Sequence, residues 1–446
     1  MKKLLSLILC SILIFTIIPV TIVNVSAYYD TGKCGKNVTY SFDSSTGILT
    51  FSGTGIIESK YASPFSDFTV KNVIIENGIS GIGDEIFSYC EELTSITMPN
   101  SLKTIGKYAF ENCKSLATIT IPNSVTSIGK WAFRDCYVLK SIIIGNHIKN
   151  IDECAFYNCE SLKTVNIADI ASWCKIKFND NVSNPLYYAK KLCLNGKKII
   201  ELKIPNNVKN IGNYTFHSYK PLTSIKFGNS VKSIGEWAFC NCTSIKKIKF
   251  GKKIKSIKRS AFYNCKSLKS ITIPSSLNSI GDYAFEYCKS LKKVKITDLK
   301  SWCKIKFRDN PLYYAKNLYL NEKKVIKLKI PNSVTNINDY AFNGCTSIKS
   351  VKFGKKVKKI GAAFESCKSL KSVKIGKKVK TISAYAFFNC KSFKSVTIPK
   401  NVKNISYEAL GYYGYEMKVK GFTIKGKKGT AAEKYANKNG FKFIKI

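Results

Sequence analysis

The sequence is poor in histidine, arginine and proline. Its 446 residues include two histidines, His147 and His217, and 11 prolines. Histidine is the commonest metal ligand and general base in proteins, so its scarcity argues against either role here. Only three of the 73 basic residues are arginine, and bidentate readout of DNA bases needs the guanidinium group. With 45% apolar residues the chain can still bury a core, and it is not a disordered polymer.

Acidic residues are scarce as well, with 28 Asp+Glu against 73 Lys+Arg and a formal net charge of +45. The few His, Asp and Glu residues form no pattern of paired carboxylates, activated nucleophile or metal ligands. Four acids recur in matching places, but a repeated acid more often belongs to a turn or a cap: Asp169, Asp298, Asp180 and Asp309. We therefore predict a protein that is not an enzyme and that has no cofactor and no metal.

Only the N-terminus carries a long hydrophobic run. Met1-Lys2-Lys3 is positively charged, residues 4–25 are almost wholly apolar, and Val25-Ser26-Ala27 has small residues where a signal peptidase reads the chain. We predict a signal peptide over 1–27 and a secreted protein, with or without non-covalent attachment to the cell surface. The alternative is an uncleaved anchor helix, because the run could span a bilayer. The mature chain has no second run of this kind and is expected to lack a transmembrane segment.

One phrase of 23 residues recurs along most of the chain. It begins at Ile105 and restarts at Ile128. Two longer units resemble each other, because Ser-Trp-Cys-Lys-Ile-Lys-Phe occurs at both 172–178 and 301–307. We predict a solenoid over 79–415 with about twelve rungs, in which the units at 160–219 and 289–345 are expanded rungs with a surface excursion. The repeat cysteine, replaced by Tyr219 in one unit, occurs at Cys90, Cys113, Cys136, Cys159, Cys242, Cys265, Cys288, Cys345, Cys367 and Cys390.

The spacing of apolar residues explains why this phrase should wind into a solenoid. Leu116, Ile119 and Ile121 have the period of a strand with one buried face, and Pro122 then turns the chain. Ala109-Phe110-x-x-Cys113 has the spacing of one helical or 3-10 turn. One unit has too few inward residues to fold alone, but stacked units form a continuous core. The fold class predicted is a right-handed repeat solenoid with a parallel β-sheet and short helical turns.

The phrase resembles the BspA-type leucine-rich repeat, which is found mostly in secreted and surface proteins of bacteria. Both ends resemble this family too: a β-hairpin cap within 28–78, and a small α/β cap over 416–446 with a helix at 430–439 and a closing strand at 441–443. The resemblance implies a leucine-rich-repeat fold and a role in adhesion to host matrix or other cells, or in scaffolding. It transfers no ligand residue, because the ligands within the family are diverse.

Cysteine is abundant, with 17 residues of which one lies in the signal peptide. A secreted chain of this kind would normally suggest disulfides. One cysteine per rung at a fixed place is instead typical of a ladder, in which a buried thiol packs as a small apolar side chain. Cys240-x-Cys242 and the neighbours Cys154 and Cys159 lack the paired spacing and histidine partners of a zinc site. We predict an inert ladder rather than disulfides or a metal site.

Lysine accumulates beside the strands of the C-terminal half. A basic wall there would attract polyanions such as acidic cell-wall polymers, sulfated or sialylated glycans and nucleic acid. The alternative is a solvated surface that only keeps a long, edge-rich array soluble. The candidate binding lysines are Lys246, Lys247, Lys249, Lys292, Lys293, Lys295, Lys349, Lys352, Lys371 and Lys374.

Aromatic residues form a second group of candidates. A column two residues before the repeat Phe is expected to pack laterally rather than to stack on sugars. The aromatic residues of the long units are better candidates, because irregular excursions carry function more often than regular rungs: Trp173, Trp302, Tyr187 and Tyr313. The sequence thus predicts a monomeric secreted binder of an extracellular protein or glycan ligand, polyanions included, without sequence-specific nucleic-acid binding. The alternative is a structural component of the surface coat.

Overall fold

A computed structural model describes residues 28–414 and 416–446. The predicted signal peptide at 1–27 lies outside the described residues. Within them, no helix is long and apolar enough to cross a membrane. The described helices are short, apart from the last one: Ile170–Trp173, the 3-10 helix Pro185–Tyr187, Leu299–Trp302, Leu312–Ala315 and Ala431–Lys438.

Each repeat contributes a strand of three or four residues to a parallel series that we call the long-strand ladder. In Thr118–Thr120 the central Ile119 is buried and both threonines face solvent, as the two-residue period of a strand requires. Successive strands are one repeat apart, so Ser141 pairs with Thr118 on one side and Thr164 on the other. The strands are Asn72–Ile75, Ser95–Thr97, Thr118–Thr120, Ser141–Ile144, Thr164–Ile167, Lys191–Leu194, Glu201–Lys203, Ser224–Lys226, Lys247–Lys249, Ser270–Ile273, Lys293–Ile296, Leu318–Leu320, Lys327–Lys329, Ser350–Lys352, Ser372–Lys374, Ser395–Thr397 and Thr423–Gly426.

A second parallel series, the short-strand ladder, follows each turn. Its isoleucines point into the core, and the glycines that follow keep neighbouring rungs close. A Cβ atom added at Gly106 would lie 2.5 Å from the carbonyl carbon of Gly83, so a larger residue would push the rungs apart. The strands are Ile79–Ile82, Thr104–Ile105, Ser127–Ile128, Asn150–Ile151, Lys177–Phe178, Asn210–Ile211, Ser233–Ile234, Ser256–Ile257, Ser279–Ile280, Lys306–Phe307, Asn336–Ile337, Lys359–Ile360, Thr381–Ile382 and Asn404–Ile405.

The core is a set of identical side chains stacked along the solenoid. The rings of Phe110 and Phe133 lie 5.2 Å apart and almost parallel, and Phe133 stacks on Phe156 at the same spacing. The repeat Ala, Cys and Leu are buried beside them, as Ala132, Cys136 and Leu139 are. The predicted repeat solenoid with a parallel sheet is therefore confirmed.

The two long units interrupt the long-strand ladder with an antiparallel hairpin. Lys191–Leu194 pairs with Lys197–Lys198, and Leu318–Leu320 pairs with Lys323–Lys324. Each hairpin turns through two residues with positive φ, which is the usual geometry of a tight hairpin. We call the ladder before the first hairpin the N-terminal tract, that between the hairpins the middle tract, and that after the second hairpin the C-terminal tract.

The predicted count of about twelve rungs is too low. Each long unit adds two strands to the ladder instead of one expanded rung, and Asn72–Ile75 precedes the first repeat cysteine. The described solenoid has about 17 turns. The count was wrong because it followed the cysteine, and the additional turns lack a cysteine at the repeat position.

Both ends of the ladders are covered by additional strands. Tyr29–Lys33, Asn37–Asp43 and Ile48–Ile57 form an antiparallel sheet at the start of the described chain. The third of these strands is long enough to pair with the first strand of both ladders. At the other end, the hairpin Tyr412–Gly414 and Met417–Lys418 precedes the helix, and Lys442–Lys445 pairs in parallel with Thr423–Gly426.

Candidate ligand-binding face

The solvent side of the long-strand ladder is the candidate ligand-binding face. In the regular strands the first and third residues point outward, as Lys247 and Lys249 do on either side of buried Ile248. The two hairpin strands differ: Cys193 is buried at the third position of Lys191–Leu194, and Tyr319 at the second position of Leu318–Leu320 pairs with Lys295 and continues the row. Because successive strands are in register, the third residues form one row along the solenoid. Neighbouring members of that row are separated by about 4.8 Å, the spacing of strands in a sheet.

Two parts of this row consist only of lysine. In the middle tract Lys203 pairs with Lys226, which pairs with Lys249. We call these three residues the middle lysine triad. In the C-terminal tract the C-terminal lysine triad has the same arrangement: Lys329, Lys352 and Lys374. All six side chains are exposed, and in the described part of the chain none forms an ion pair.

Three of these six lysines were missed by the sequence analysis. Lys203 and Lys329 belong to the extra strands of the long units, and Lys226 follows the rung in which Tyr219 replaces the cysteine. Lys203 and Lys226 precede the strand after Cys242, with which the predicted lysines begin, whereas Lys329 lies in a strand that follows no repeat cysteine. The alternating run from Leu202 to Ile204 was the available signal for Lys203.

The other predicted lysines lie beside the triads or between them. One of them is already neutralised, because the Lys295 Nζ atom lies 2.6 Å from Oε2 of Glu322 in the second hairpin. The Lys295 side chain is also more buried than the exposed lysines of the triads, with an exposed fraction of 27%. The remaining six are exposed at the first position of a strand or just before it: Lys246, Lys247, Lys292, Lys293, Lys349 and Lys371.

Grooves of similar shape but different charge run along the first two tracts. The groove of the N-terminal tract has a volume of about 830 Å³ and includes Thr97, Thr120 and Asn166 in the row of third residues. None of its lining residues is charged. The groove of the middle tract has a volume of about 610 Å³ and is lined by the middle lysine triad together with Lys252 and Phe250. The same face therefore offers an uncharged groove first and a basic groove next.

This change follows the distribution of charge along residues 28–446. Residues 28–200 contain 18 Lys+Arg and 16 Asp+Glu, whereas residues 201–446 contain 53 Lys+Arg and 12 Asp+Glu. Four of the five ion pairs in the described residues lie in the first part. The excess of lysine after residue 200 is thus largely unpaired by acids.

The two long-unit tryptophans are not ligand contacts. Trp173 and Trp302 are 1% exposed, and each donates its indole N–H to a backbone carbonyl oxygen. Their rings pack on Phe178 and Phe307 where the phenylalanine stack of the regular rungs is interrupted. The expectation that they bind ligand is corrected here, because an irregular unit also needs large side chains to fill its core.

The two tyrosines of the long units remain accessible. Tyr187 is 40% exposed and lies parallel to the ring of His217, and Tyr313 is 49% exposed beneath the Lys316 ammonium group. His217 itself is buried, and this burial lowers its pKa to about 4. The aromatic column before the repeat Phe packs laterally, as Tyr108 does against Trp131 with ring centroids 4.8 Å apart.

The repeat cysteines form a hydrogen-bonded ladder. The thiol of Cys136 donates to the carbonyl oxygen of Phe110, 3.1 Å away, in the preceding rung, and Cys159 donates to Phe133 in the same way. Burial raises the pKa of the Cys136 thiol to about 12. These thiols therefore act as core side chains with a weak donor. Among the described residues, no three His, Cys, Asp or Glu side chains are grouped as metal ligands.

Stacked parallel strands and a buried apolar phrase that recurs from turn to turn, with a cysteine at the same position in ten of the copies, define a leucine-rich-repeat solenoid. The model of the BspA type leucine rich repeat region matches six copies over residues 59–183, 189–312 and 314–439. The chain therefore belongs to this family, as the resemblance predicted.

The chain is similar to several solved structures, and one of them shares its fold. A leucine-rich repeat protein from Bacteroides ovatus is 22% identical with a TM-score of 0.51, over 92% of this chain and 99% of that one. A leucine rich cell surface protein from Faecalibacterium prausnitzii is 20% identical with a TM-score of 0.35, over 94% of both chains. The pneumococcal vaccine antigen PcpA is 14% identical with a TM-score of 0.35, over 93% of this chain and 98% of that one. No curated protein matches the chain.

Proposed function

We propose that this protein is a secreted or cell-surface binding protein, without catalytic activity, that recognises an extracellular protein or glycan ligand through the solvent face of the long-strand ladder. The observation that carries this proposal is the change along one continuous face from an uncharged groove to two lysine triads. A surface that only kept the chain soluble would not need an uncharged groove of this size in a protein so rich in lysine.

Residues that could perform chemistry have structural roles instead. Asp169 and Asp298 accept hydrogen bonds from backbone N–H groups at the start of two short helices. His217 is buried, and the repeat cysteines donate to carbonyl oxygens. Secretion is supported by the apolar segment at 1–27 and by the family, whose resemblance implies surface roles in bacteria.

The test is a binding survey with the purified chain from Tyr28 onward. It would be applied to arrays of matrix proteins and of neutral and acidic glycans, at low and high salt. We expect a small set of ligands whose retention is lost when the outward residues of the N-terminal groove, Thr97 and Thr120, are changed to Lys, or when lysine triads are changed to Gln. A survey in which no ligand is retained would contradict the proposal.

A structural role in a surface coat is the second candidate. Both terminal strands, Tyr29–Lys33 and Lys442–Lys445, leave one edge without a partner strand in the described sheets. Such edges can pair between copies and join solenoids end to end. Sedimentation of the mature chain over a range of concentrations would distinguish the two: a binder is expected to stay monomeric, and a coat component is expected to form growing linear assemblies.

A further inference from the structure

The lysine triads place like charges directly opposite each other across neighbouring strands. Such pairs repel each other and destabilise a sheet. In the middle triad, Lys226 has a lysine on each side, and Lys352 has the same surroundings in the C-terminal triad. An anion lying over the row would contact two ammonium groups at once and relieve this repulsion. The arrangement therefore favours a ligand with many anionic groups rather than a single one.

The direction of the rows determines the shape of that ligand. The rows follow the solenoid axis, so the ligand must cross the strands as a linear chain. Three strands at the spacing of a sheet cover about 10 Å, which is the length of one triad. The distance from Lys203 to Lys374 along the row is about 40 Å, from the number of intervening strands. A chain of that length could contact both triads together.

Neighbouring side chains indicate the chemistry between the anionic groups. The row of first residues beside the triads contains the hydroxyl groups of Ser224, Ser350 and Ser372 together with the charged side chains of Glu201, Lys247 and Lys327. Two half-buried aromatic rings lie near the triads: Phe250 in the groove of the middle triad, and Tyr319 in the row between the two triads. Binding of single-stranded nucleic acid usually relies on a series of aromatic side chains that stack on successive bases. Lysine, a flexible point charge, suits phosphate groups that need no fixed geometry. Hydroxyl donors suit the hydroxyl groups of a sugar or polyol.

We propose that the two lysine triads form one site for a linear polyol-phosphate or sugar-phosphate polymer, which lies along the solenoid axis and contacts both triads. This inference rests on the proposed binding role of the long-strand face and names the class of ligand for its basic part. The uncharged groove of the N-terminal tract is not part of the site.

One acidic residue lies between the two triads, next to the row. Glu322 lies in the turn of the second hairpin and pairs with Lys295, the lysine of the same row that lies nearest to the C-terminal triad in the middle tract. Its carboxylate faces the path of the polymer and repels it. Replacing Glu322 by Gln should therefore tighten binding, although the substitution touches neither triad.

The main experiment measures binding of the mature chain to synthetic poly(glycerol phosphate) of two lengths. One is shorter than about 15 Å and covers one triad; the other is longer than about 40 Å and reaches both. The long chain should bind at least about tenfold more tightly, because its second contact is intramolecular. The triple variants K203Q/K226Q/K249Q and K329Q/K352Q/K374Q should each reduce the long chain to the affinity of the short one.

The matched control is K209Q/K232Q/K255Q, which removes the same charge from three exposed lysines beside the short-strand ladder. It should change affinity by no more than about twofold, as expected for a small change in the long-range field. A salt titration adds a second readout: each triad variant should lower the slope of log affinity against log salt by about two, and the control should leave it nearly unchanged.

Several results would overturn the inference. Equal losses in the control and the triad variants would show that net charge alone attracts the polymer. Equal affinity for long and short chains would show that the two triads do not bind one polymer chain together. Weaker binding by Glu322→Gln would contradict a polymer path along the solenoid axis. Tighter binding of oligothymidylate than of poly(glycerol phosphate) of equal charge would identify nucleic acid instead. If the polymer does not bind but the survey finds another ligand, this inference fails while the proposed binding function stands.

Discussion

Trp173 donates its indole N–H to the carbonyl oxygen of Thr215, 3.0 Å away, and so replaces a backbone donor that the first long unit lacks. In regular rungs, the backbone N–H of the repeat Phe donates to a carbonyl in the next rung, as Phe110 does to Ala132 at 2.7 Å. Thr215 occupies the alanine position of its rung, and Asn184 supplies a second N–H to it. The second long unit repeats this solution with Trp302 and the carbonyl of Ala341.

Trp173→Phe should therefore destabilise the protein although it keeps an aromatic ring in the core. We expect the free energy of unfolding to fall by about 1–3 kcal/mol, from one lost buried hydrogen bond and a small cavity. Trp237→Phe is the control, because that ring is half-buried on the surface column. Urea titration followed by circular dichroism measures both. Equal effects of the two substitutions would show that the indole N–H is not needed.

The fold could be predicted from the sequence because one phrase repeats with a constant period. A two-residue alternation predicts a strand, a turn residue predicts the end of that strand, and a short helical spacing predicts one helical turn. Because the copies stack on one another, the same assignment applies to all of them. Trp173 could not be placed this way. The long units occur only twice, and their apolar residues do not show whether a tryptophan faces solvent or fills a gap in the phenylalanine stack.

The candidate site was predictable only in part. Local alternation identifies which lysines point outward, but the row along the solenoid depends on which strands are neighbours. Lys203 and Lys329 belong to these rows because the strand that follows each hairpin pairs with the next strand in the same register as the regular rungs. The path of the chain in three dimensions determines this pairing, and the local sequence does not show it. The uncharged groove could not be predicted from the sequence for the same reason, since Thr97, Thr120 and Asn166 come from three separate repeats.

The hydroxyl group of Tyr219 connects the first long unit to the regular rung that follows it. It donates to the carbonyl oxygen of Ile199 at 2.7 Å and accepts from the backbone N–H of Leu192 at 3.2 Å. Tyr219→Phe leaves both buried backbone groups without this partner, so the free energy of unfolding should fall by about 1–3 kcal/mol. Tyr157→Phe, at a 42% exposed ring, is the control. Tyr219→Cys restores the usual repeat residue. If this variant were as stable as the natural protein, the two hydrogen bonds of the Tyr219 hydroxyl would not be needed for stability.

Thiol labelling tests the cysteine ladder. Of the 16 described cysteines, 15 are buried and only Cys154 is partly exposed. At pH 8 in the absence of denaturant, we expect the Cys154 thiol to react with a disulfide reagent well before the others, because the reagent can reach its sulfur. Burial raises the pKa of Cys154 as well as that of the ladder thiol Cys136, so access accounts for the difference in rate. Cys154→Ser should remove this fast phase and Cys136→Ser should keep it. Several fast thiols in the native protein would contradict a closed ladder.

Asp309 in the second long unit is a half-buried carboxyl group whose charge opposes folding. Burial raises its pKa to about 6, although the hydroxyl of Tyr314 donates to it at 3.1 Å and partly offsets this effect. The nearby carboxylates of Glu286 and Asp282 raise the pKa further. Between its unfolded pKa near 4 and its folded pKa near 6, the folded protein holds more protons at this site than the unfolded one does.

The contribution of Asp309 to the free energy of unfolding should consequently increase as the pH falls from 7 towards 4. Asp309→Asn removes the half-buried charge and keeps an oxygen that can accept from Tyr314. At pH 7.5 we expect the variant to be more stable than the natural protein by about 1–2 kcal/mol, with the two becoming equal near pH 4. Asp67→Asn, at an exposed carboxylate, controls for the loss of a surface charge. Urea titrations at pH 4, 6 and 7.5 measure the difference. A constant difference across this range would show that Asp309 does not titrate there in the folded protein.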